Sequence, residues 1–132
     1  MEDEVLPYCL NEGIGVIVYS PMASGLLTGA MTRERAARLP ADDWRRNHPD
    51  FTEPDLSRNL AMVERLRQLV TRHDRSVGEV AIAWTLHNPA VTGAIVGARN
   101  ARQAEGVMRV GDLHLSNEAV NEIAPLFAET TA

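Results

Sequence analysis

The segment Ile14-Gly-Val-Ile-Val-Tyr19 is continuously apolar and rich in β-branched residues, the pattern of a strand covered on both faces, as in a parallel sheet. Ser20-Pro21 ends it. One other stretch reads the same way: Ala94-Ile-Val96 lies between Gly93 and Gly97, so strands are expected at about 14–19 and 94–97. Two parallel strands leave unpaired backbone at both edges and cannot cover their own apolar faces. The pair therefore reads as part of a larger sheet or barrel. At 132 residues the chain is expected to form a single domain over 1–132, since chains of about 150 residues bury roughly 70% of their extended surface.

Helical signals surround the two strands. Val5, Leu6, Cys9 and Leu10 share a helical face, with Gly13 as the stop. Leu60, Val63, Leu66 and Val70 recur at helical spacing, which predicts an amphipathic helix from Leu56 to about Arg72. Ser76-Val-Gly-Glu79 is a capping-box pattern that opens a second helix facing inward through Val77, Val80, Ala81 and Trp84. That helix must stop before Pro89. Asn100-Ala-Arg-Gln103 is placed to cap a helix directly after the second strand. A terminal helix starts at Ser116, with Pro125 expected to kink or end it. Between Ser20 and Pro54 the chain makes a long excursion interrupted by one short helix near Thr32–Leu39. Such segments are either binding loops or lids, or disordered inserts.

The order helix, strand, helices, strand, helix is the grammar of parallel β/α units. Composition then removes several chemistries. All 13 basic residues are Arg; without Lys there is no Schiff-base nucleophile, no pyridoxal phosphate anchor and no phosphate-loop lysine. The lone Cys9 forms no internal disulfide, so the chain is expected in the cytoplasm. A net charge of −5 gives no bulk attraction to nucleic acid or anionic lipid. No apolar run is long enough to cross a bilayer. His48, His73, His87 and His114 lack metal-ligand spacing, so no metal site is expected. The acidic pairs, Asp42-Asp43 among them, read as solvated runs.

In β/α architectures ligands gather at the carboxyl ends of strands, here Tyr19-Ser20-Pro21 and Gly97-Ala98-Arg99-Asn100. At the second end a glycine permits close backbone approach, and Arg99 or Arg102 offers a guanidinium fork for phosphate. The same residues also read as a plain turn with a solvated charge, and Tyr19 reads equally as core. The helix pair near 56–72 and 76–87 has the outline of a helix-turn-helix, although its second helix offers little to reach base edges.

The stretches Gly13-Ile-Gly-Val-Ile-Val-Tyr-Ser-Pro-Met-Ala-Ser-Gly-Leu-Leu-Thr-Gly29 and Val80-Ala-Ile-Ala-Trp-Thr-Leu-His-Asn-Pro-Ala-Val-Thr-Gly-Ala-Ile-Val-Gly-Ala-Arg-Asn100 together resemble the C-terminal part of bacterial aldo-keto reductases, over nearly the whole chain. The resemblance implies an α/β fold, the C-terminal portion of a (β/α)8 TIM barrel, with the N-terminal half of the barrel absent. It implies NADP as the cofactor. Tyr19 matches the aromatic that stacks on the nicotinamide, while Ser20, Pro21, Met22, Ser24 and Leu26 match the loop along the pyrophosphate. Gly97, Ala98, Arg99, Asn100 and Gln103 match the segment around the adenosine 2′-phosphate. Where many members carry Glu-Asn near the adenine, this chain has Gly106-Val107.

The family reduces aldehydes or ketones with an Asp, Tyr, Lys and His set in the first half of the barrel. No registration of a lysine-free chain can supply that Lys, and neither Tyr8 nor Tyr19 matches the family's acid. No catalytic residue is therefore assigned. The expectation is a cofactor-binding section that is inactive alone and is completed by a complementing barrel half or by self-association. The alternatives are a non-catalytic nucleotide-binding or regulatory module and, further off, a helix-turn-helix binder.

Overall fold

The computed structural model describes residues 1–71 and 74–128. Helix α1 spans Val5–Asn11 and ends as anticipated at Gly13, whose φ of 65° lets Ile14 N–H reach back to the Cys9 carbonyl at 2.8 Å. Strand β1 covers Val16–Tyr19 and strand β2 Val91–Ile95. They pair in parallel, with Ile17 opposite Gly93, Val18 opposite Ala94 and Tyr19 opposite Ile95.

Both strands differ from the expected 14–19 and 94–97. Strand β2 begins three residues early because Gly93 lies inside the ladder, and Thr92 Oγ1 donates to the Val16 carbonyl at 2.9 Å to fix the start. The ladder closes at Tyr19 and Ile95, since Ser20 turns away with φ of 53°. Nor are the strands covered on both faces. Ile17 is 66% and Ile95 62% exposed, because helices of this chain pack on one face only and no further strand joins the pair among the described residues.

Helix α2 is Arg33–Ala37, capped by Thr32, whose side chain accepts from Arg35 N–H. The rest of the excursion is not featureless: two short 3-10 turns, Trp44–Asn47 and Pro49–Phe51, follow. Leu26, Met31, Ala36, Phe51 and Leu56 form its own small apolar cluster. Helix α3, Asp55–Thr71, buries Met62, Val63, Leu66 and Val70 along one stripe; its anticipated end at Arg72 lies outside the described residues.

Helix α4, Val77–Leu86, is the hub. It was expected to bury one face, yet every residue from Val77 to Ala83 is buried and none of the helix is exposed. One side meets Leu66, Val70, Ile123 and Leu126; the other, through Ile82 and Ala83, meets Val110. A helix apolar on all sides belongs in an interior, and no face is left to enter a nucleic-acid groove.

Helix α5 is Ala101–Met108 and α6 is Asn117–Ala128. Pro125 does not end α6, which continues to Ala128 and places Leu126 in the core. No helix among the described residues is long and apolar enough to cross a membrane.

The capping box that opens α4 is complete. Glu79 N–H donates to Ser76 Oγ at 3.2 Å, and Glu79 Oε2 accepts from Ser76 N–H and from its hydroxyl, each at 2.8 Å. Burial raises the Glu79 carboxyl pKa, but the two Ser76 hydrogen bonds and the charges of Arg109 and Arg75 outweigh it and leave it lowered. A carboxyl whose folded pKa lies below its unfolded one adds stability at neutral pH that disappears as pH falls through the carboxylate range. Ser76→Ala is expected to cost about 1 kcal/mol in urea unfolding at pH 7 and to flatten the acid side of the stability profile. Unchanged midpoints at both pH 7 and pH 4 would contradict this account of the cap.

Candidate functional site

Because β1 and β2 are parallel and end side by side, Tyr19 opposite Ile95, the segments that follow them leave the sheet at the same end. The first turns sharply. Ser20, Ala23 and Ser24 hold φ of 53°, 46° and 54°, and Gly25 holds 101°. Left-handed conformations cost non-glycine residues about 1–2 kcal/mol each and cluster where surrounding contacts over-determine the chain, commonly at functional sites. Three such contacts are present. Ala23 N–H donates to the Ser20 carbonyl at 2.9 Å, Gly25 N–H to the Met22 carbonyl at 3.0 Å, and Arg45 Nη1 to the Ser24 carbonyl at 3.0 Å.

The second segment is fixed by the start of α5. Asn100 Oδ1 accepts from Gln103 N–H at 3.0 Å, and Gln103 Oε1 accepts from Arg99 N–H at 2.8 Å. The first bond caps α5, and the second ties the Arg99 backbone to the helix's first turn.

Between the two segments lies a cavity of about 740 Å³, within the range of small-molecule sites. Its lining includes Tyr19, Ser20, Pro21, Met22, Ser24, Gly97, Ala98, Arg99 and Gln103. Two residues singled out from the sequence are elsewhere: Leu26 is 4% exposed in the excursion's apolar cluster, and Asn100 caps α5 without lining the cavity. Tyr19 is 82% exposed, so it is not core. Gly106 and Val107 line the cavity as well, and a Cβ at Gly106 would meet no atom within 4 Å.

Arg35, Arg45 and Glu79 also line the cavity; the sequence marks Glu79 only as a helix cap and gives the two arginines no signal. Glu79 Oε1 is buried without a hydrogen bond, 3.7 Å from Arg75 Nη1 and 3.6 Å from Arg109 Nε. Arg45 is held by Asp43, with Nε to Oδ1 at 2.9 Å and Nη2 to Oδ2 at 2.6 Å. Of the Asp42-Asp43 pair expected to be a solvated run, Asp42 is exposed and Asp43 is not. Its side chain is 18% exposed, and the Arg45 guanidinium is the main cause that brings its carboxyl down to about 2. The lone pair of i, i+2 residues gave no periodic clue, because a 3-10 turn rather than a helix brings them together.

The donor set fits an anionic ligand. Three arginines, Arg35, Arg45 and Arg99, line the cavity with one acidic residue, Glu79. Arg35 donates to the Ala30 carbonyl and Arg45 is engaged as above, whereas the Arg99 side chain makes no hydrogen bond or close ion pair among the described residues. The histidines are dispersed: His48 caps a 3-10 turn, His87 follows α4, His114 is exposed, and His73 lies outside the described residues. No cluster with metal-binding potential occurs among the described residues.

Comparison with known proteins gives a consistent result. The sequence model described as the aldo/keto reductase family matches residues 1–127. The chain is 34% identical over 131 residues to aldo-keto reductase YhdN of Bacillus subtilis, covering 98% of this chain and 39% of that protein. It is 32% identical over 117 residues to the NADH-specific methylglyoxal reductase of Escherichia coli, covering 89% and 35%. Among solved structures, a glycerol dehydrogenase from Gluconobacter oxydans superimposes with a TM-score of 0.87 at 32% identity, covering 98% of this chain and 38% of that one. The chain thus spans between about a third and two fifths of the length of these relatives.

The bend that shapes the cavity closes at Gly29, which has φ of 74° and whose carbonyl accepts from Arg67 Nη2 at 2.6 Å. A Cβ there would lie 3.3 Å from Arg67 Nη2 and 3.4 Å from Val77 Cγ2. Gly29→Ala is therefore expected to destabilise the chain by about 1–2 kcal/mol, seen as a lower thermal midpoint. An unshifted midpoint would show that this bend does not constrain the loop.

Proposed function

The chain belongs to the aldo/keto reductase family, and on that premise we propose that it is the C-terminal, cofactor-holding section of an NADP-dependent oxidoreductase of aldehydes or ketones, inactive as an isolated polypeptide. The observation that carries this reading is the meeting of two distant segments, Tyr19–Ser24 and Gly97–Gln103, on one cavity at the carboxyl end of a parallel strand pair. When bound, the dinucleotide supplies the hydride. The chain's own residues bind and orient it. Tyr19 would offer its exposed ring to the nicotinamide, the strained Ser20–Gly25 bend would present backbone to the pyrophosphate, and Arg99 with Gln103 would hold the adenosine phosphate.

Proton transfer to the carbonyl oxygen is the step this chain does not perform. It holds no Lys, and its cavity-lining Tyr19 sits in the role of a stacking ring. The remaining barrel strands, from another polypeptide segment or a further copy, would cover the exposed Ile17 and Ile95. A cytoplasmic setting suits a chain whose single Cys9 is free.

Titration of the 132-residue chain with NADPH by calorimetry, alongside an assay of aldehyde-dependent NADPH oxidation, is the test. Binding without turnover is expected. Turnover by this polypeptide alone would overturn the inactivity, and absence of any dinucleotide binding would overturn the reading itself. A binding-competent chain that stays inactive with every complementing barrel half would favour a regulatory module. Sedimentation velocity is expected to show concentration-dependent association through the uncovered sheet face; a strict monomer at all concentrations would argue against that face being an interface.

A further inference from the structure

One side chain crosses from the excursion to the strained bend. Arg45 Nη1 donates to the Ser24 carbonyl at 3.0 Å, a contact between residues 21 apart. The rest of the guanidinium is fixed from the excursion side. Its Nε and Nη2 donate to the two Asp43 carboxylate oxygens at 2.9 and 2.6 Å, and Asp43 Oδ1 also accepts from Arg45 N–H at 3.1 Å. The guanidinium carbon lies 5.9 Å from the centre of the Phe51 ring, and Phe51 is itself packed in the cluster of Leu26, Met31, Ala36 and Leu56. A planar group held along one edge and over one face keeps little rotamer freedom, so Nη1 is aimed at Ser24.

The target is backbone that gains nothing from its own conformation. Ala23 and Ser24 hold φ of 46° and 54° without glycine's tolerance of that region. Among the described residues, every other hydrogen bond to the backbone of residues 22–25 comes from within residues 20–28. Arg45 is therefore the outside hold on the bend. Ser24, Gly25 and Arg45 all line the main cavity, which puts this contact in its wall.

We propose that Arg45, aimed by Asp43, is a positioning residue of this site, holding Ala23–Gly25 in the left-handed shape that the ligand meets. The proposal rests on the dinucleotide reading above. Arg45 acts through Ser24 and not on the ligand: all three of its side-chain nitrogens are engaged within the chain, and with Asp43 it is neutral as a unit. Its contribution is shape. Without the bond, Ser24 is free to relax to the negative φ that L residues prefer, and the ligand must then order the bend as it binds. A loop ordered beforehand binds more tightly because that ordering is not drawn from the binding free energy.

The test titrates the 132-residue chain calorimetrically with NADPH, whose diphosphate would meet the bend, and with adenosine 2′,5′-bisphosphate, which has no diphosphate bridge. The double variant Asp43→Asn/Arg45→Gln removes the contact and leaves the net charge unchanged. It is expected to weaken NADPH about tenfold and the bisphosphate by no more than about twofold. With Ser24→Gly as the background, where a left-handed residue carries no strain, the same double change is expected to weaken NADPH only about threefold. Equal weakening of both ligands would mark a general loss of structure and overturn the positioning role. So would an unreduced loss in the glycine background. Should the double variant fail to fold, Arg45→Lys replaces it, since a single ammonium keeps the charge but cannot hold both Asp43 oxygens and Ser24; an unchanged NADPH affinity there overturns the proposal. If the parent chain binds no NADPH, the dinucleotide reading falls and this inference with it; if the parent binds and the variants bind equally well, only the present inference falls.

Discussion

The structure depends on the parallel register of two short strands. Val18 beside Ala94 and Tyr19 beside Ile95 bring together segments more than 70 residues apart in the chain, and everything at the cavity follows from that pairing. An antiparallel arrangement would send the two following loops to opposite ends of the pair. Parallel strands require a long crossover, and the crossover here carries α2, α3, α4 and the excursion. The helix that returns to the sheet, α4, is thereby enclosed, with α3 and α6 residues on one side and Val110 on the other. Its first turn, through Gly78 and Glu79, forms part of the cavity wall. The fold and the site share that wall, so a change at the α4 cap acts on both.

What was legible in the sequence was what local chemistry decides. The Ser76–Glu79 box, the Gly13 stop and the Asn100 cap are short patterns with one strong physical meaning, and each occurs as read. The misplacement of β2 has an equally local cause. Gly93 looked like punctuation, yet no atom lies within 4 Å of where its Cβ would be, so a strand glycine costs nothing in packing there and the ladder runs through it. The full enclosure of α4 was hidden because Gly78 and Glu79 do not look apolar. One is buried for want of a side chain, the other because its carboxylate is satisfied by the cap on Oε2.

The site was half legible. Tyr19, Ser20, Gly97 and Arg99 follow from the rule that ligands gather at strand ends, and the family resemblance extended that set. Arg45 and Asp43 could not be found this way. They belong to an excursion without periodicity, and their pairing depends on a 3-10 turn and on the reach of a guanidinium to the Ser24 carbonyl. The strained Ser20–Gly25 bend was equally invisible, because serine and alanine give no composition signal for a left-handed backbone; only the contacts around them impose it.

The central claim is that the paired strand ends build a dinucleotide site within this chain. Backbone amide chemical-shift mapping of the 132-residue chain with NADPH tests it most directly. The account predicts saturable shifts concentrated in Tyr19–Gly25 and Val96–Val107, with the far side of α3 and α6 unaffected. Shifts scattered over the surface, or none at millimolar NADPH, would contradict it.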